Sequence, residues 1–389
     1  MFTRILKITA PCDQSFFLWG ARQTGKSSFL KLCYPNALYF DLLDTELFLR
    51  YLREPYLFRS DLLSALNEKL SAPIIILDEI QKVPELLNEV HRFIEEKKYQ
   101  FILCGSSARK LKTQSTNLLG GRAWLYHFYP LVFSEIPEFD LLKALRHGLI
   151  PKHYLSTEST LRKNFQAYVN LFLTDEIQRE SLVRNLSGFS TFLEMVGLCN
   201  GELINFSNIA RDCHIDRSTV QGYFQILVDT LLGYFIGPYH HKVKRDLLVA
   251  MPKFYLFDVG IANYLGNREI LQLKGDVAGR SLEHYILMEL IAYRDLCEKR
   301  FDIHYWRTKT GLEVDFVLGK ASVAIEVKIS AQVHYEDVKG LRAFCEEHPN
   351  TKAYVVSQDF RPRKLKESEN ILVLPWKKFL EKLWAEEII

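Results

Sequence analysis

The segment Gly20–Ser27 constrains the fold of this chain more than any other part of the sequence. It reads GARQTGKS and matches GxxxxGK[ST] without a mismatch, a pattern that forms a phosphate-binding loop between a strand and a helix. An apolar run at Phe16–Gly20 precedes the loop, and a helical pattern at Ser27–Cys33 follows it. Because both flanking elements are present, a chance match in a surface loop is the weaker interpretation.

The predicted phosphate loop, Gly20–Ser27, surrounds an anion with hydrogen-bond donors. Its glycines allow consecutive backbone N–H groups to curl round a β-phosphate, and the following helix directs its positive end at the same group. Lys26 is expected to contact the β- and γ-phosphates, and the Ser27 hydroxyl to bind Mg²⁺. The residues predicted to bind the nucleotide are Gly20, Ala21, Arg22, Gln23, Thr24, Gly25, Lys26, Ser27 and Ser28.

A second motif, Ile74–Glu79, is an apolar run that ends in two carboxylates. The carboxyl ends of parallel strands meet at one edge of a sheet, so this pair is expected beside the phosphate loop. We predict that Asp78 holds Mg²⁺ and that Glu79 polarises the attacking water. The alternative is a buried strand with ordinary polar ends, which two adjacent acids make less favourable.

The pattern around these motifs is that of an α/β domain. Further apolar runs at Ala37–Leu42, Pro73–Leu77 and Gln100–Cys104 predict strands. The stretches Thr45–Leu70 and Pro84–Lys97 carry apolar residues at helical spacing. Apolar strands that alternate with helices predict a parallel sheet covered on both faces.

Two kinds of side chain are candidates for contact with the γ-phosphate. Ser106 follows a predicted strand, where its hydroxyl can hydrogen-bond the γ-phosphate or the attacking water. Arg122 and Arg109 are candidate catalytic arginines, with a slight preference for Arg122, acting within their own chain or on a neighbouring subunit. For each arginine, a solvated side chain without a phosphate contact is an equally good interpretation.

The order of these motifs resembles a family of archaeal and bacterial proteins in which an AAA-type ATPase precedes a C-terminal domain of unknown function. The resemblance rests on GARQTGKSS, IIILDEIQKVPE, ILCGSSARKL, LLGGRA and YPLVFSEI, and continues through YLFDVG, GRSLE, WRT and EVK. It implies ATP as the nucleotide and ATP hydrolysis by the first two motifs. It also implies a winged-helix segment between the ATPase part and a nuclease-like end.

The middle of the chain has an almost wholly helical pattern, which includes Thr174–Ser181. Ser207–Cys213 and Arg217–Leu231 predict a helix–turn–helix, and the basic segment His240–Arg245 predicts the tip of a wing. DNA contact and a module that packs only against protein both remain open. The residues expected on the outward surface of the second helix are Arg217, Ser218, Gln221 and Gln225.

A hairpin is predicted near the carboxyl end of the chain. Apolar runs at Val314–Leu318 and Val323–Ile329 flank a Gly-Lys turn at 319–320. Because side chains alternate between the two faces of a strand, Glu326 and Lys328 are expected to share a face.

Four residues, Glu283, Asp315, Glu326 and Lys328, are here named the C-terminal cluster. If the hairpin brings Asp315 alongside Glu326, two carboxylates could hold a divalent ion, with Glu283 as a further ligand and Lys328 to orient or activate water. Asp315, Glu326 and Lys328 are therefore predicted to be catalytic, in a pattern that resembles the PD-(D/E)xK nuclease core. A solvated ion pair, or a nuclease fold without turnover, are the alternatives.

Composition sets the remaining limits. The chain has 50 Lys and Arg against 47 Asp and Glu, and a net charge of +3 excludes a uniformly basic nucleic-acid coat. Its 7 cysteines include no CxxC pair, which argues against a zinc site or a disulfide framework. With no signal-peptide pattern and no apolar run of membrane length, the sequence predicts a soluble cytoplasmic protein without a membrane partner.

These patterns together predict three domains and one function. The domains are a P-loop, AAA-like α/β ATPase domain at 1–140, a helical winged-helix domain at 141–248, and an α/β restriction-endonuclease-like domain of PD-(D/E)xK type at 249–389. The function is Mg²⁺-dependent ATP binding and hydrolysis coupled to DNA binding or processing, with DNA and a homo-oligomer as candidate partners. The alternative is a nucleotide-controlled protein-interaction switch with a catalytically inactive nuclease-like fold.

Overall fold

The computed structural model of the 389-residue chain describes residues 2–11, 13–67, 74–97, 99–107, 119, 122–171, 183, 185–239, 251–365 and 368–389. The chain divides into two compact units. The first comprises Met1–Pro130 with Asp229–Leu232, and the second comprises Leu131–Val228 with Gly233–Ile389. Three predicted features lie outside the described residues: Arg109, the helix at Thr174–Ser181 and the basic tip at His240–Arg245.

The first unit is built on a parallel sheet. Its described strands pair in the order β2-β3-β4-β1-β5, and each neighbouring pair is parallel. All five carboxyl ends therefore lie at one edge, as the alternation of strands and helices predicts. The elements are β1 (Ser15–Trp19), α1 (Lys26–Cys33), β2 (Leu38–Asp41), α2 (Thr45–Arg53), α3 (Leu57–Asn67), β3 (Ile75–Asp78), α4 (Leu86–Lys97), β4 (Phe101–Gly105) and β5 (Ala123–His127).

Burial of the central strands explains their sequence. Every residue of β3 and of β4 is buried, which is why both read as continuous apolar runs rather than alternating ones. Helices pack against the sheet through side chains such as Tyr51, Phe58 and Val90, which have no exposed surface. The described part of the stretch Thr45–Leu70 contains two helices, because α2 ends at Arg53 before Pro55.

The second unit begins with helices and ends with a mixed sheet. Within the described ranges its elements are α5 (Leu141–His147), α6 (Pro151–Tyr154), α7 (Glu158–Leu171), α8 (Leu186–Leu198), α9 (Phe206–Asp212), α10 (Arg217–Asp229), β6 (Gly233–Ile236), β7 (Lys253–Leu256), α11 (Val259–Leu265), α12 (Gly275–Leu296), β8 (Ile303–Arg307), β9 (Glu313–Leu318), β10 (Val323–Val327), α13 (Lys339–Glu347), β11 (Lys352–Ser357), β12 (Arg363–Leu365), β13 (Ser368–Pro375) and α14 (Trp376–Trp384).

The sheet of the second unit positions the C-terminal cluster. Its strands pair in the order β12-β13-β11-β10-β9-β8. The predicted hairpin is present: β9 and β10 are antiparallel, with Val323 opposite Leu318 and the turn at Gly319, whose φ of 60° favours glycine. Asp315 and Glu326 therefore stand on neighbouring strands, and α12 carries Glu283.

The predicted helix pair corresponds to α9 and α10, followed by β6 and β7 as an antiparallel pair. Val220, Phe224 and Leu227 are fully buried, as their helical spacing predicts. That these elements form a winged helix, and that domains divide near residues 140 and 248, stay predictions. In the described part of the chain, no helix combines the length and the apolar character that crossing a membrane requires.

Glu289 is a buried carboxyl group in the middle of α12. Its side chain accepts hydrogen bonds from the Phe133 backbone N–H at 2.8 Å and from the Trp384 indole N–H at 2.7 Å. It thereby ties α12 to α14 and to the segment before α5. Burial raises the pKa of Glu289 from 4.5 to about 7.

This raised pKa predicts a stability change with pH. The folded state holds the proton more tightly than the unfolded chain, so the favourable contribution is complete below about pH 4.5 and is lost as the pH rises through 7. Glu289→Gln removes this titration. From pH 5 to pH 8, we expect the unfolding free energy of wild type to fall by about 2–3 kcal/mol more than that of Glu289→Gln. Urea denaturation at the two pH values measures this. The exposed Glu298→Gln is the control, and equal pH dependence in wild type and Glu289→Gln would contradict the assignment.

Candidate functional site

The phosphate loop connects the carboxyl end of β1 to the amino end of α1, in the first unit. A close contact requires one of its glycines, and the backbone conformation requires the other. A Cβ on Gly20 would lie 2.2 Å from the Phe128 carbonyl oxygen, and Gly25 has a φ of 100°. The loop thus passes close to the neighbouring backbone and turns sharply into the helix, a conformation that other residues do not adopt without strain.

Lys26 is buried within the phosphate loop, with 5% of its surface exposed. Its ammonium group donates to the carbonyl oxygens of Gly20 at 2.8 Å and Ala21 at 3.0 Å. The Thr24 hydroxyl also donates to Ala21, at 2.8 Å, and fixes the curve of the loop. An ammonium group has three hydrogens. Two of these hydrogens bond carbonyl oxygens of the loop, so the third is left for a phosphate oxygen.

The other predicted loop residues differ in exposure. Ala21 and Thr24 are buried and form the base of the loop, whereas Gln23 and Ser28 are exposed and Arg22 is half-buried. Gln23 has a φ of 61°, which places it, like Gly25, in the left-handed region. The two exposed residues have the access to solvent that contact with a ligand requires.

Ser27 and Asp78 meet at the same edge of the sheet. The Ser27 hydroxyl donates to Asp78 Oδ2 at 2.6 Å, and the Tyr39 hydroxyl donates to the same oxygen. The second carboxylate oxygen, Oδ1, accepts the Glu79 backbone N–H at 3.0 Å. Burial and the nearby Asp78 charge raise the pKa of Tyr39, so it stays a neutral donor. A hydroxyl and a carboxylate at this distance are hard oxygen ligands of the kind that Mg²⁺ takes.

Glu79 is held by two side chains that lie beyond the ends of β3 and β4. Its Oε2 accepts from the Gln81 amide and, at 3.2 Å, from the Ser106 hydroxyl. The Gln81 amide also donates to Ser106 Oγ at 3.0 Å, which closes a three-residue network. Glu79 has a φ of 58°, an uncommon conformation for a residue with a side chain. The backbone and the network together fix the direction of this carboxylate.

Sequence reasoning missed Tyr39, Gln81 and Arg4. Gln81 is 1% exposed, and a polar residue two positions after an acid pair was the available signal for it. Arg4 donates to the Thr24 carbonyl at 2.7 Å and to the Tyr129 carbonyl at 2.6 Å, so the amino-terminal segment braces the phosphate loop. No local pattern marks Arg4 or Tyr39, because only the tertiary fold brings them to the site.

The structure does not bring Arg122 to the phosphate loop of its own chain. Arg122 precedes β5, whose first residue pairs with Ser15 at the start of β1, whereas the loop follows Trp19 at the other end. Five strand residues span about 16 Å. Arg122 forms an ion pair with Glu95 of α4 instead. Contact with a nucleotide on a neighbouring subunit stays a prediction.

In the second unit, the described structure brings the C-terminal cluster together. Asp315 and Glu326 are 8% and 6% exposed, and Lys328 Nζ lies 2.6 Å from Glu326 Oε1. Burial raises the pKa of Asp315, and the charges of Glu326 and Glu283 raise it further. Burial also raises the pKa of Glu326, to about 7, although Lys328 opposes the shift.

That Glu283, Asp315 and Glu326 hold a metal stays a prediction. Across the described residues, no set of three or more His, Cys, Asp or Glu side chains is arranged to hold a metal. One of these acids pairs with a residue that sequence reasoning did not consider. Lys253 Nζ lies 3.1 Å from Glu283 Oε1 and forms a salt bridge with it, so Glu283 pairs with an ammonium group.

Sequence comparisons identify domains within the chain. Residues 13–137 match the family model of an AAA domain, and residues 138–274 and 278–379 match two domains of unknown function, DUF8612 and DUF4143. No curated protein matches the chain. The solved structure of the Aeropyrum pernix Orc1 protein in complex with DNA is similar over 65% of this chain and 86% of that chain, at 14% identity and a TM-score of 0.30. This likeness is too weak to bear on function.

Proposed function

We propose that this chain, which contains an AAA domain at residues 13–137, is a Mg²⁺-dependent ATPase. The observation that carries the proposal is the convergence of Lys26, Ser27 and Asp78 at one sheet edge, with the Ser27 hydroxyl 2.6 Å from the Asp78 carboxylate. The buried ammonium and the loop N–H groups would bind the phosphates. Ser27 and Asp78 would hold Mg²⁺, which neutralises charge that develops on the phosphates.

Glu79 is the proposed group that orients and deprotonates the attacking water. Its Oε2 is fixed by Gln81 and Ser106, which leaves Oε1 to accept a hydrogen bond from water. Ser106 also lies at the carboxyl end of β4, the edge at which a γ-phosphate would stand. We propose that its hydroxyl responds to the presence of that phosphate.

The proposed activity is tested by phosphate release from ATP in the presence of Mg²⁺, with EDTA as the control. We expect phosphate to be released with Mg²⁺ present, and we expect EDTA to abolish this release. A series of protein concentrations tests for an arginine supplied by a neighbouring subunit, since specific activity then rises with concentration. Absence of release from the folded chain under all these conditions would contradict the proposal.

Gln81 is the proposed positioning residue for Glu79. Gln81→Met keeps the size of this buried side chain and removes its amide donor. We expect kcat to fall about ten- to hundredfold, with KM for ATP unchanged, because the oriented carboxylate acts only in the chemical step. Gln100→Met is the matched control, because Gln100 is also buried but bonds Pro11 and Gln14 at the other sheet edge. A change in KM alone would contradict the role.

For the rest of the chain we propose a helical winged-helix domain at 141–248 and a nuclease-like domain at 249–389, through which nucleotide state controls DNA binding. The supporting observation is that the outward residues of α10 are exposed, as DNA contact requires: Arg217, Ser218, Gln221 and Gln225. The alternative is a protein-interaction switch with an inactive nuclease-like fold. The salt bridge from Lys253 to Glu283 favours the inactive fold.

Stimulation of ATP turnover by DNA distinguishes these two functions. Single-stranded, duplex and branched DNA are added to the ATPase assay, with Arg217→Ala as a variant. A DNA coupler is expected to respond to at least one form, less so in the variant. A switch for protein partners is expected to respond to none.

A further inference from the structure

Lys253 lies among the carboxylates of the C-terminal cluster. It begins β7, and 4% of its surface is exposed. Its Nζ lies 3.1 Å from Glu283 Oε1 and 2.6 Å from Glu313 Oε1, and it also faces the Tyr305 ring with 5.6 Å between Nζ and the ring centroid. An ammonium group this deeply buried is stable only with such anionic partners.

The charges around Lys253 nearly balance. In the described part of this site, the carboxylates of Glu283, Glu313, Asp315 and Glu326 face the cations of Lys253, Arg307 and Lys328. With all four carboxyl groups ionised, one negative charge is in excess. Without Lys253 the excess is two, which is the charge of one divalent metal ion. The lysine therefore supplies part of the charge that a metal would bring.

Some oxygens of these carboxylates already have partners. Glu283 Oε1 accepts the Tyr255 hydroxyl at 2.5 Å as well as Lys253, and Asp315 Oδ2 accepts the Val327 backbone N–H at 2.7 Å. Glu326 Oε2 is different: it is buried and has no hydrogen-bond partner. A cation admitted to the site would find its first ligand there.

The site adjoins a small cavity of about 160 Å³. Its charged lining residues are the cations Lys253, Arg280 and Arg307 and the carboxylates Glu202, Glu283, Glu313 and Asp315. A divalent ion that occupied the cation position would have to displace Lys253 from two carboxylates. The displaced ammonium would lose both salt bridges inside a buried region, which is costly.

We infer that the Lys253 ammonium fills the cation position of this site, so that the wild-type chain holds no divalent metal there. The site is then a carboxylate pocket closed by a lysine of the same chain rather than a metal-dependent hydrolytic centre. Removal of the ammonium, with the four carboxylates left in place, creates a divalent-metal site. This inference is independent of ATP hydrolysis, because it concerns binding in the absence of nucleotide.

The test is binding of Mn²⁺ to the full-length chain without nucleotide, measured by the electron paramagnetic resonance signal of free Mn²⁺. Lys253→Met retains the length of the side chain and removes its charge. We expect Mn²⁺ to bind Lys253→Met at least about tenfold more tightly than wild type, since two negative charges are then unbalanced. The double variant Lys253→Met/Asp315→Asn should lose the gain. Lys299→Met, which removes a charge that is paired with Glu386 outside the site, is the matched control.

If Lys253→Met does not fold, a comparison of wild type with Asp315→Asn still tests whether the wild-type site holds a metal. We expect wild type to have no saturable Mn²⁺ site that depends on Asp315, so Asp315→Asn should bind Mn²⁺ as wild type does. Detection of such a site would overturn the inference. So would a folded Lys253→Met chain that binds Mn²⁺ no better than wild type.

Discussion

Replacement of Lys26 by alanine is expected to abolish tight ATP binding. The ammonium group lies inside the phosphate loop, 2.8 Å from the Gly20 carbonyl, and would be the one side-chain cation of the loop interior in contact with the β- and γ-phosphates. A hydrogen bond to a charged group contributes about 1.5–3 kcal/mol, so the affinity should fall at least tenfold. Titration with a fluorescent ATP analogue in the presence of Mg²⁺ measures the loss.

The control for this variant is Lys7→Ala, which removes an exposed lysine of the same unit. Its ATP affinity should equal that of wild type. If Lys26→Ala retains wild-type affinity while its circular dichroism spectrum is unchanged, Lys26 does not bind phosphate and the proposed site is wrong.

Replacement of Glu79 by glutamine should separate binding from turnover. The amide keeps the size of the side chain but cannot accept a proton from water. We expect kcat to fall by about 10²–10⁴, the contribution of a general base, with ATP affinity retained. Single-turnover phosphate release and nucleotide binding, measured on the same preparation, give both quantities.

Glu85→Gln is the matched control, because Glu85 is an exposed acid in the same segment. It should leave kcat unchanged. Hydrolysis at the wild-type rate by Glu79→Gln would remove Glu79 from its proposed role and would leave the binding function of the loop intact.

The sequence was sufficient to predict the parallel sheet and the position of the phosphate loop. The loop is recognisable from its short sequence spacing, and Lys26 bonds the Gly20 carbonyl within the same loop. The strands were visible because β3 and β4 are buried on both faces and read as unbroken apolar runs.

The partners of the two carboxylates could not be predicted in this way. Tyr39 reaches Asp78 from the neighbouring strand β2, and Gln81 reaches Ser106 from a turn after β3, so both contacts depend on strand order. The position of Arg122 relative to the loop of its own chain depends on the fold in the same way. Its separation from the loop follows from the direction of β5, which sequence spacing does not reveal.

The metal ligands predicted in the C-terminal cluster show a second limit of prediction from sequence. The hairpin that joins Asp315 and Glu326 was evident from alternation and a Gly-Lys turn. Lys253 lies 30 residues before Glu283 along the chain, and only packing of β7 against α12 brings their charges together. A list of acidic residues therefore predicted a metal site without the lysine that pairs with Glu283.

Calorimetric titration of ATP and Mg²⁺ into the purified, folded chain tests the central claim most directly. The arrangement of Lys26, Ser27 and Asp78 predicts a saturable heat of binding that corresponds to one nucleotide per chain and that EDTA weakens. No heat of binding from folded protein would contradict the claim that this sheet edge holds a nucleoside triphosphate with its metal.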